Sequence, residues 1–118
     1  IDMVTSDHNP IDIEHKKMEF DMAKNGTIGL ESAFGALMTV LPLETVIEKL
    51  TAGKSIFKIE SPSIEEGAKA SISLFNPEGT AIFNKSSILS KSKNAAFLGT
   101  ATKGKTYGIV NQGKLTLA

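Results

Sequence analysis

Apolar residues recur at helical spacing in one part of the chain. One helix is predicted over residues 29–41, where the apolar positions form a single stripe, and Pro42 ends it. A second helix is predicted over residues 43–50 from the same pattern. The stripe of the first helix consists of Leu30, Phe34, Leu37, Met38 and Leu41, and that of the second of Leu43, Val46, Ile47 and Leu50.

Residues 52–59 are compatible with two different elements. Thr51 is a residue type that caps helix N-termini, which favours a short third helix through Phe57. The same stretch contains Ile56, Phe57 and Ile59, residue types that are frequent in strands. Both interpretations stay open at the level of sequence.

A period of two begins after Ser61-Pro62-Ser63 and predicts an antiparallel β region. Residues 68–75, in which Ala70, Ile72 and Leu74 alternate with polar residues, are predicted to form a half-buried strand, and Asn76-Pro77-Glu78-Gly79 is predicted to be a turn. Further strands are predicted over 80–83, 97–102, 105–110 and 114–117, with turns at 103–104 and 111–113. These few short strands are not enough to close a sandwich alone. We therefore expect them to form one part of a β-sandwich.

The first five residues predict a short strand, and a polar, irregular segment over residues 6–27 follows it. Asp7 comes directly after this strand, where an α/β barrel keeps its catalytic groups. Asp7 is therefore a candidate general acid–base or metal ligand, with a helix cap or turn as the structural alternative. Because the chain begins on this strand, we interpret it as the C-terminal piece of a larger enzyme.

These patterns together predict an α+β fragment in two parts. Residues 1–61 would be the last strand and helices of a (β/α)8 TIM barrel, and residues 62–118 a portion of a β-sandwich domain. A severed barrel leaves strand edges and apolar helix faces uncovered. We therefore expect the 118-residue chain to self-associate or to swap elements between copies.

Composition narrows the function classes. Thirteen basic residues, all of them Lys, balance thirteen acidic ones, which argues against general binding to nucleic acid or an anionic membrane. Without Arg the chain has no guanidinium group that could bind a carboxylate through two parallel hydrogen bonds. It also has no cysteine, which makes the cytoplasm the default location, and no apolar run of membrane-spanning length.

Three other motifs are weaker indications of a functional site. His8 and His15 lie seven residues apart without further ligands, which does not make a metal site. Ala52-Gly53-Lys54-Ser55 is similar to the end of a phosphate-binding loop, but Glu48 occupies the position of the required first glycine. Asn25-Gly26, shortly before the first helix, is a loop whose backbone N–H groups could face a substrate.

Several of these motifs together resemble the C-terminal part of a dihydroorotase, a member of the amidohydrolase superfamily. That family has an Asp-His-x-Pro-His loop after its eighth barrel strand and a Gly-x-x-Gly-x-Glu segment that opens a helix. Residues 64–77, 94–99 and 110–114 are similar to the segment by which amidohydrolases return to a β-sandwich. The matching N-terminal residues are Ser6-Asp7-His8-Asn9-Pro10, Glu14-His15-Lys16-Lys17, Phe20 and Asn25-Gly26-Thr27-Ile28-Gly29-Leu30-Glu31-Ser32-Ala33-Phe34.

The resemblance implies a role for four positions. Asp7 matches the catalytic aspartate, which contacts the metal centre and moves a proton from the attacking hydroxide to the leaving nitrogen. Asn25 and Gly26 match positions whose backbone contacts the substrate, and Asn9 falls in the turn that lines it. The implied reaction converts (S)-dihydroorotate and water to N-carbamoyl-L-aspartate in pyrimidine biosynthesis. It also implies Zn²⁺ in the full-length parent, whose other ligands lie upstream, and we expect no metal and no activity in the fragment alone.

One position departs from the family pattern. Ile11 stands where the family has a histidine that grips the substrate carboxylate, and an isoleucine cannot donate a hydrogen bond to it. The leading interpretation is a dihydroorotase that forms a homo-oligomer. The departure at Ile11 leaves two alternatives to it. One is a non-catalytic homologue that is a structural partner of aspartate transcarbamoylase, and the other is an allantoinase or hydantoinase.

Overall fold

The computed structural model describes all 118 residues as a small α+β structure, which confirms the predicted class. Three helices precede one antiparallel sheet whose strands lie in the order β1-β2-β3. Single 3-10 turns occur at Glu14–Lys16 and Lys85–Ser87. The elements are α1 (Ala33–Val40), α2 (Leu43–Thr51), α3 (Gly53–Ile56), β1 (Ser71–Ile82), β2 (Ala101–Asn111) and β3 (Lys114–Leu117).

The helices agree with their predicted places, with one shift. The α1 helix begins at Ala33 instead of residue 29, because Gly29 O first accepts hydrogen bonds from the N–H groups of both Ser32 (3.1 Å) and Ala33 (2.8 Å) in a tight turn. The α2 helix follows Pro42 as predicted. Residues 53–56 are helical, which decides the open choice over residues 52–59 against a strand.

The turn predicted at residues 76–79 is wrong, because the β1–β2 pairing continues on both sides of it. Asn76 lies opposite Lys105 and Thr80 opposite Lys103, so β1 carries two extra residues in a bulge. Within the bulge, Asn76 Oδ1 accepts a hydrogen bond of 3.0 Å from the N–H of Glu78. The hydrogen bond of a local turn is therefore present, but the strand pairing resumes beyond it. The two strands predicted on either side of residues 76–79 both contribute to one long strand, β1.

The turn predicted at residues 103–104 is also wrong, since β2 runs through it as one strand. Gly104 has φ +86°, and an added Cβ would lie 2.9 Å from the Phe34 ring and 3.0 Å from Met38 Cγ. This glycine therefore lets α1 approach the sheet. The third predicted turn is confirmed: β2 and β3 form a hairpin through Gln112 (φ 49°) and Gly113 (φ 75°), as two-residue hairpin loops require.

The strand predicted over residues 1–5 does not form in this chain. A strand requires a neighbour for its backbone hydrogen bonds, and in the first five residues the only backbone hydrogen bond is donated by Val4 N–H, to Lys49 O (3.0 Å). The chain likewise contains one sheet and no second sheet facing it, so no sandwich is completed within these residues.

The buried core is small and lies mainly in irregular segments. Ile28, Phe83 and Ile88 form one cluster with Ala95 packed against it, while Met38 of α1 and Val46 of α2 are buried separately. The molecule exposes 8785 Å², whereas a compact monomer of this mass exposes about 6,200 Å². Its radius of gyration is 16.2 Å, against about 13.5 Å for a compact domain of this length. None of the helices has the length and hydrophobicity to cross a lipid bilayer.

Candidate functional site

The candidate residues lie in one irregular segment, residues 6–31, which we call the Asp7 loop. Asp7 itself is exposed and adopts φ +42°, a left-handed conformation that is uncommon outside glycine. Its carboxylate forms no hydrogen bond or ion pair with the rest of the chain, so it does not act as a helix cap. The loop therefore presents a free carboxylate to solvent.

The residues on either side of Asp7 are held against the turn that precedes α1. His8 Nδ1 accepts hydrogen bonds from the N–H groups of Gly29 and Leu30, each at 3.2 Å. Ser6 O lies so near Gly29 that an added Cβ would come within 2.5 Å of it. Gly29 is thus required for this close approach, because a side chain at this position would collide with Ser6 O.

The structure brings together the three other candidate positions, Asn9, Asn25 and Gly26. Asn9 Nδ2 donates to Asn25 O at 3.4 Å, and Asn9 N–H donates to Thr27 O at 2.9 Å. Gly26 has φ +138°, and an added Cβ would lie 2.8 Å from Asn9 Nδ2. Only glycine fits at position 26 in this arrangement.

Ile11 lies in the same cluster. Its Cγ1 would be 2.7 Å from a Cβ added at Gly26, so the isoleucine side chain covers the backbone of that glycine. The cluster therefore combines amide and backbone polar groups from Asn9, Asn25 and Gly26 with one apolar wall. No basic side chain contributes to these contacts.

A distant segment supports the Asp7 loop, and sequence reasoning missed it. The Glu31 carboxylate accepts hydrogen bonds from the N–H groups of Leu89 (2.6 Å) and Ser90 (3.0 Å). The sequence had indicated Glu31 only as the glutamate of the segment that matches Gly-x-x-Gly-x-Glu in the family resemblance. Because its partners lie almost sixty residues away, no local pattern could have revealed this pair of bonds.

Asn94 is the second missed residue. Its Nδ2 donates to Gly26 O at 3.0 Å, and its carbonyl oxygen accepts from Ile28 N–H at 2.9 Å. Ile28 and Ala95 also form an isolated parallel bridge. The only sequence signal was indirect, since Asn94 opens one of the stretches that carried the family resemblance.

Another carboxylate of the Asp7 loop has a partner. Asp12 Oδ1 lies 2.5 Å from Nδ1 of the His15 ring and accepts the His15 backbone N–H at 3.1 Å. The bond with the His15 ring, assisted by the backbone bond, holds the pKa of the Asp12 carboxyl below its ordinary value. This pair stabilises the turn at Glu14–Lys16.

The residues of this chain do not by themselves fit a metal ion. No group of three or more His, Asp or Glu side chains comes together anywhere in the structure, while structural and catalytic zinc sites use at least three protein ligands. Asp7 supplies one free carboxylate, and the Nδ1 atom of its neighbour His8 is already occupied by two N–H donors.

The candidate site is also open. Two cavities, of about 460 and 430 Å³, lie elsewhere in the structure, and neither is lined by Asp7, Asn9, Asn25 or Gly26. Binding sites for small molecules usually bury most of the ligand surface. An enclosed site around Asp7 would therefore need further polypeptide to cover it.

Comparison with known proteins finds curated relatives over nearly the whole chain. It is 30% identical to a dihydroorotase of Geotalea daltonii and 32% identical to one of Chlorobaculum tepidum, with 98% and 99% of the chain covered. A dihydroorotase of Endomicrobium trichonymphae is 35% identical over 88% of the chain. The chain spans only 26–28% of the length of these relatives. No family profile matches it.

Two solved structures share its fold. A D-hydantoinase (dihydropyrimidinase) from Thermus sp. superimposes with a TM-score of 0.84 at 22% identity, and a second D-hydantoinase structure with a TM-score of 0.80 at 19% identity. The chain covers 28% of each, and at these identities the likeness concerns the fold. In each of these proteins the matched segment is part of a longer chain.

Proposed function

The resemblance to dihydroorotases is confirmed over nearly the whole chain, and from it we propose that the whole protein is a cyclic amidohydrolase. It would convert (S)-dihydroorotate and water to N-carbamoyl-L-aspartate in the cytoplasm. Residues 1–61 would be the C-terminal end of its barrel, where residues 1–5 gain a neighbouring strand. Residues 62–118 would be a portion of its β-sandwich domain.

One observation carries this proposal: a free, exposed carboxylate at Asp7 lies on the same loop as the cluster of Asn9, Asn25 and Gly26. Hydrolysis of a ring amide needs a group that accepts a proton from water and then returns it. A carboxylate with no partner in the chain is available for both steps, whereas Asp12 is already paired with His15.

The proton and bond changes can be assigned to these residues. The Asp7 carboxylate accepts a proton as water adds to the ring carbonyl carbon and a C–O bond forms. The protonated Asp7 then donates to the ring nitrogen as the C–N bond breaks, which restores the carboxylate. Asn9 and the backbone at Asn25 and Gly26 would orient the ring through its amide groups.

The metal belongs to the proposal for the whole protein. Zn²⁺, when bound, would polarise the carbonyl and the water. Because this chain brings together no complete ligand set, the other ligands are assigned to polypeptide outside these residues, with Asp7 as the single contact from within them. We accordingly expect the isolated 118 residues to bind no Zn²⁺ and to hydrolyse no dihydroorotate.

Substitution of Asp7 in the whole protein tests this assignment. Asp7→Asn keeps the shape but removes the proton acceptor, so kcat for dihydroorotate should fall by about 10²- to 10⁴-fold. Asp2→Asn, also exposed and near in sequence, is the matched control and should keep full activity. Full activity of the Asp7→Asn protein would refute the role of Asp7.

Ile11 supports a second candidate, an allantoinase or hydantoinase. Its apolar side chain covers Gly26 and offers no donor to a carboxylate, which suits a cyclic amide without one. Steady-state assays of the whole protein against dihydroorotate, allantoin and hydantoin separate the two. For a dihydroorotase, Ile11→His should lower KM for dihydroorotate; for the other hydrolases it should not.

The third possibility is a non-catalytic homologue that assembles with aspartate transcarbamoylase. It predicts that the whole protein hydrolyses none of these cyclic amides and co-elutes with the transcarbamoylase in size-exclusion chromatography. Turnover of any of the three substrates, abolished by Asp7→Asn, would exclude it. A homo-oligomer that is active alone would favour the dihydroorotase.

A further inference from the structure

We propose that His8 is a positioning residue, whose neutral imidazole anchors the Asp7 backbone to the turn that precedes α1 and leaves the Asp7 carboxylate free. The catalytic half of this inference rests on the proposed function of Asp7. The structural half, the hydrogen bonding of the imidazole, stands independently and has its own measurement.

The hydrogen bonds define the state of the ring. His8 Nδ1 lies 3.2 Å from both Gly29 N and Leu30 N, and both of these backbone groups are donors. A ring nitrogen that accepts a hydrogen bond carries no proton, so the proton of a neutral imidazole is then on Nε2. The structure therefore assigns the Nε2–H tautomer to His8.

The two bonds satisfy donors that otherwise lack a partner. The first N–H groups of a helical turn have no carbonyl to bind within the helix, and Asp is among the residue types that most often accept from them. Here the adjacent residue accepts instead. Asp7, the residue before His8, therefore does not accept these hydrogen bonds, and its carboxylate oxygens stay unpaired.

The neighbours of Asp7 also hold its backbone. On one side Ser6 O packs against Gly29, and on the other the His8 ring is bonded to Gly29 and Leu30. Between them Asp7 has φ +42°. A conformation of this kind in a non-glycine residue persists where its surroundings hold it. Without the His8 bonds, the Ser6 contact and the Asn9 hydrogen bonds, two residues further along the chain, would remain.

The tautomer is tested first, in the 118-residue chain. Imidazole ¹⁵N spectra should show His8 with an unprotonated Nδ1 and a protonated Nε2. Amide exchange at Gly29 and Leu30 should be slow, should accelerate about tenfold or more in His8→Phe, which keeps an aromatic ring but has no acceptor, and should stay slow in His8→Asn, whose Oδ1 can accept. His15→Phe is the matched control and should leave both amides unchanged.

Activity of the whole protein supplies the second test. His8→Phe should lower kcat by about 10- to 100-fold with little change in KM, since a displaced catalytic group affects the chemical step, and His8→Asn should restore most of it. A merely structural role would lower the fraction of folded enzyme without this recovery.

The two ideas fail separately. A protonated Nδ1 at His8, or exchange at Gly29 and Leu30 that is the same in wild type and His8→Phe, would overturn the positioning role whatever Asp7 does. Full activity of Asp7→Asn would overturn the proposed function and would leave the tautomer result standing.

Discussion

The buried residues of a protein usually lie in its regular elements, but the Asp7 loop and the sheet of this chain show the opposite arrangement. The loop is irregular, yet it contains the nearly inaccessible Ile28 and is tied by Glu31 and Asn94 to residues far away in the chain. The sheet is regular, yet every residue of β3 is exposed and no second layer covers it.

This difference shows where the chain supplies its own packing partners. The part of the loop around Ile28 has such partners within the 118 residues, because the segment over residues 84–96 supplies both polar and apolar contacts to it. The sheet lacks them, and the excess of about 2,600 Å² over a compact monomer measures how much surface remains without a partner. An area of this size matches a large protein interface.

The largest expected effect comes from emptying the core beside the loop. Ile28 is 1% exposed and packs with Phe83 and Ile88. Ile28→Ala should lower the free energy of unfolding by about 3 kcal/mol, since it removes buried methyl groups and leaves a cavity. Urea denaturation measures this. Ile64→Ala, at a side chain 86% exposed, is the control and should change little; equal losses would mean that the loop has no real core.

Next is the exposed face of the sheet. Leu115 and Leu117 are 54% and 69% exposed and lie on one face of β3. If the chain self-associates through this face, replacing both with Lys should weaken association about tenfold or more, because apolar area is lost and charges repel. Light scattering over a concentration series measures this.

The matched control for that experiment is Thr116→Lys, which adds charge to the opposite face of the same strand. It should leave the association constant nearly unchanged. A wild-type chain that stays a monodisperse monomer at all concentrations would contradict the expectation of self-association altogether.

A smaller effect is expected where the loop is joined to its supporting segment. Glu31→Gln leaves one acceptor oxygen for the two N–H donors of Leu89 and Ser90 and turns an NH₂ group towards the other. The expected loss is about 1.5 kcal/mol, the lower end of the range for a hydrogen bond to a charged group, because one acceptor oxygen is kept. Thermal or urea unfolding should show it, while the exposed Glu66→Gln should unfold like wild type; no difference between the two would remove Glu31 from the loop's support.

The smallest effect is expected at the rim of the loop, at Asp12. The bond with His15 lowers the pKa of Asp12 below its ordinary value of 3.8, so folding favours the carboxylate. Its stabilisation is present above that ordinary value and is lost as the pH falls through the lowered folded value. Asp12→Asn should therefore be less stable than wild type near pH 7, with the gap closing below about pH 4.

Urea denaturation at a series of pH values measures this gap, and the exposed Asp21→Asn should follow wild type throughout. A gap that widens in acid would have the wrong sign for a carboxyl whose pKa is lowered by folding.

Much of the fold could be predicted because it follows from short-range patterns. The spacing of Leu43, Val46 and Leu50 after Pro42 specifies α2, and Gln112-Gly113 specifies the β2–β3 turn through their positive φ. The turns predicted at residues 76–79 and 103–104 failed for a common reason. Gly79 and Gly104 serve close approaches within the sheet and against α1, and a sequence does not distinguish such a glycine from one in a turn.

The candidate site divides in the same way. Asp7, Asn9, Asn25 and Gly26 were selected from their motifs, and the structure gathers the last three. Glu31, Asn94 and the anchoring role of His8 were not foreseen. Each of them bonds to backbone groups between twenty-one and sixty-eight residues away, and no local spacing encodes such a pair.

By itself, then, the sequence determined the α+β class, the helix positions, the closing hairpin and the family resemblance, since each depends on residue types at short and regular intervals. Only the tertiary structure decided which glycines permit close packing, which carboxylates accept hydrogen bonds and which do not, and where the small core lies. Those features depend on contacts between distant segments, and their energies exist only once the chain has brought the segments together.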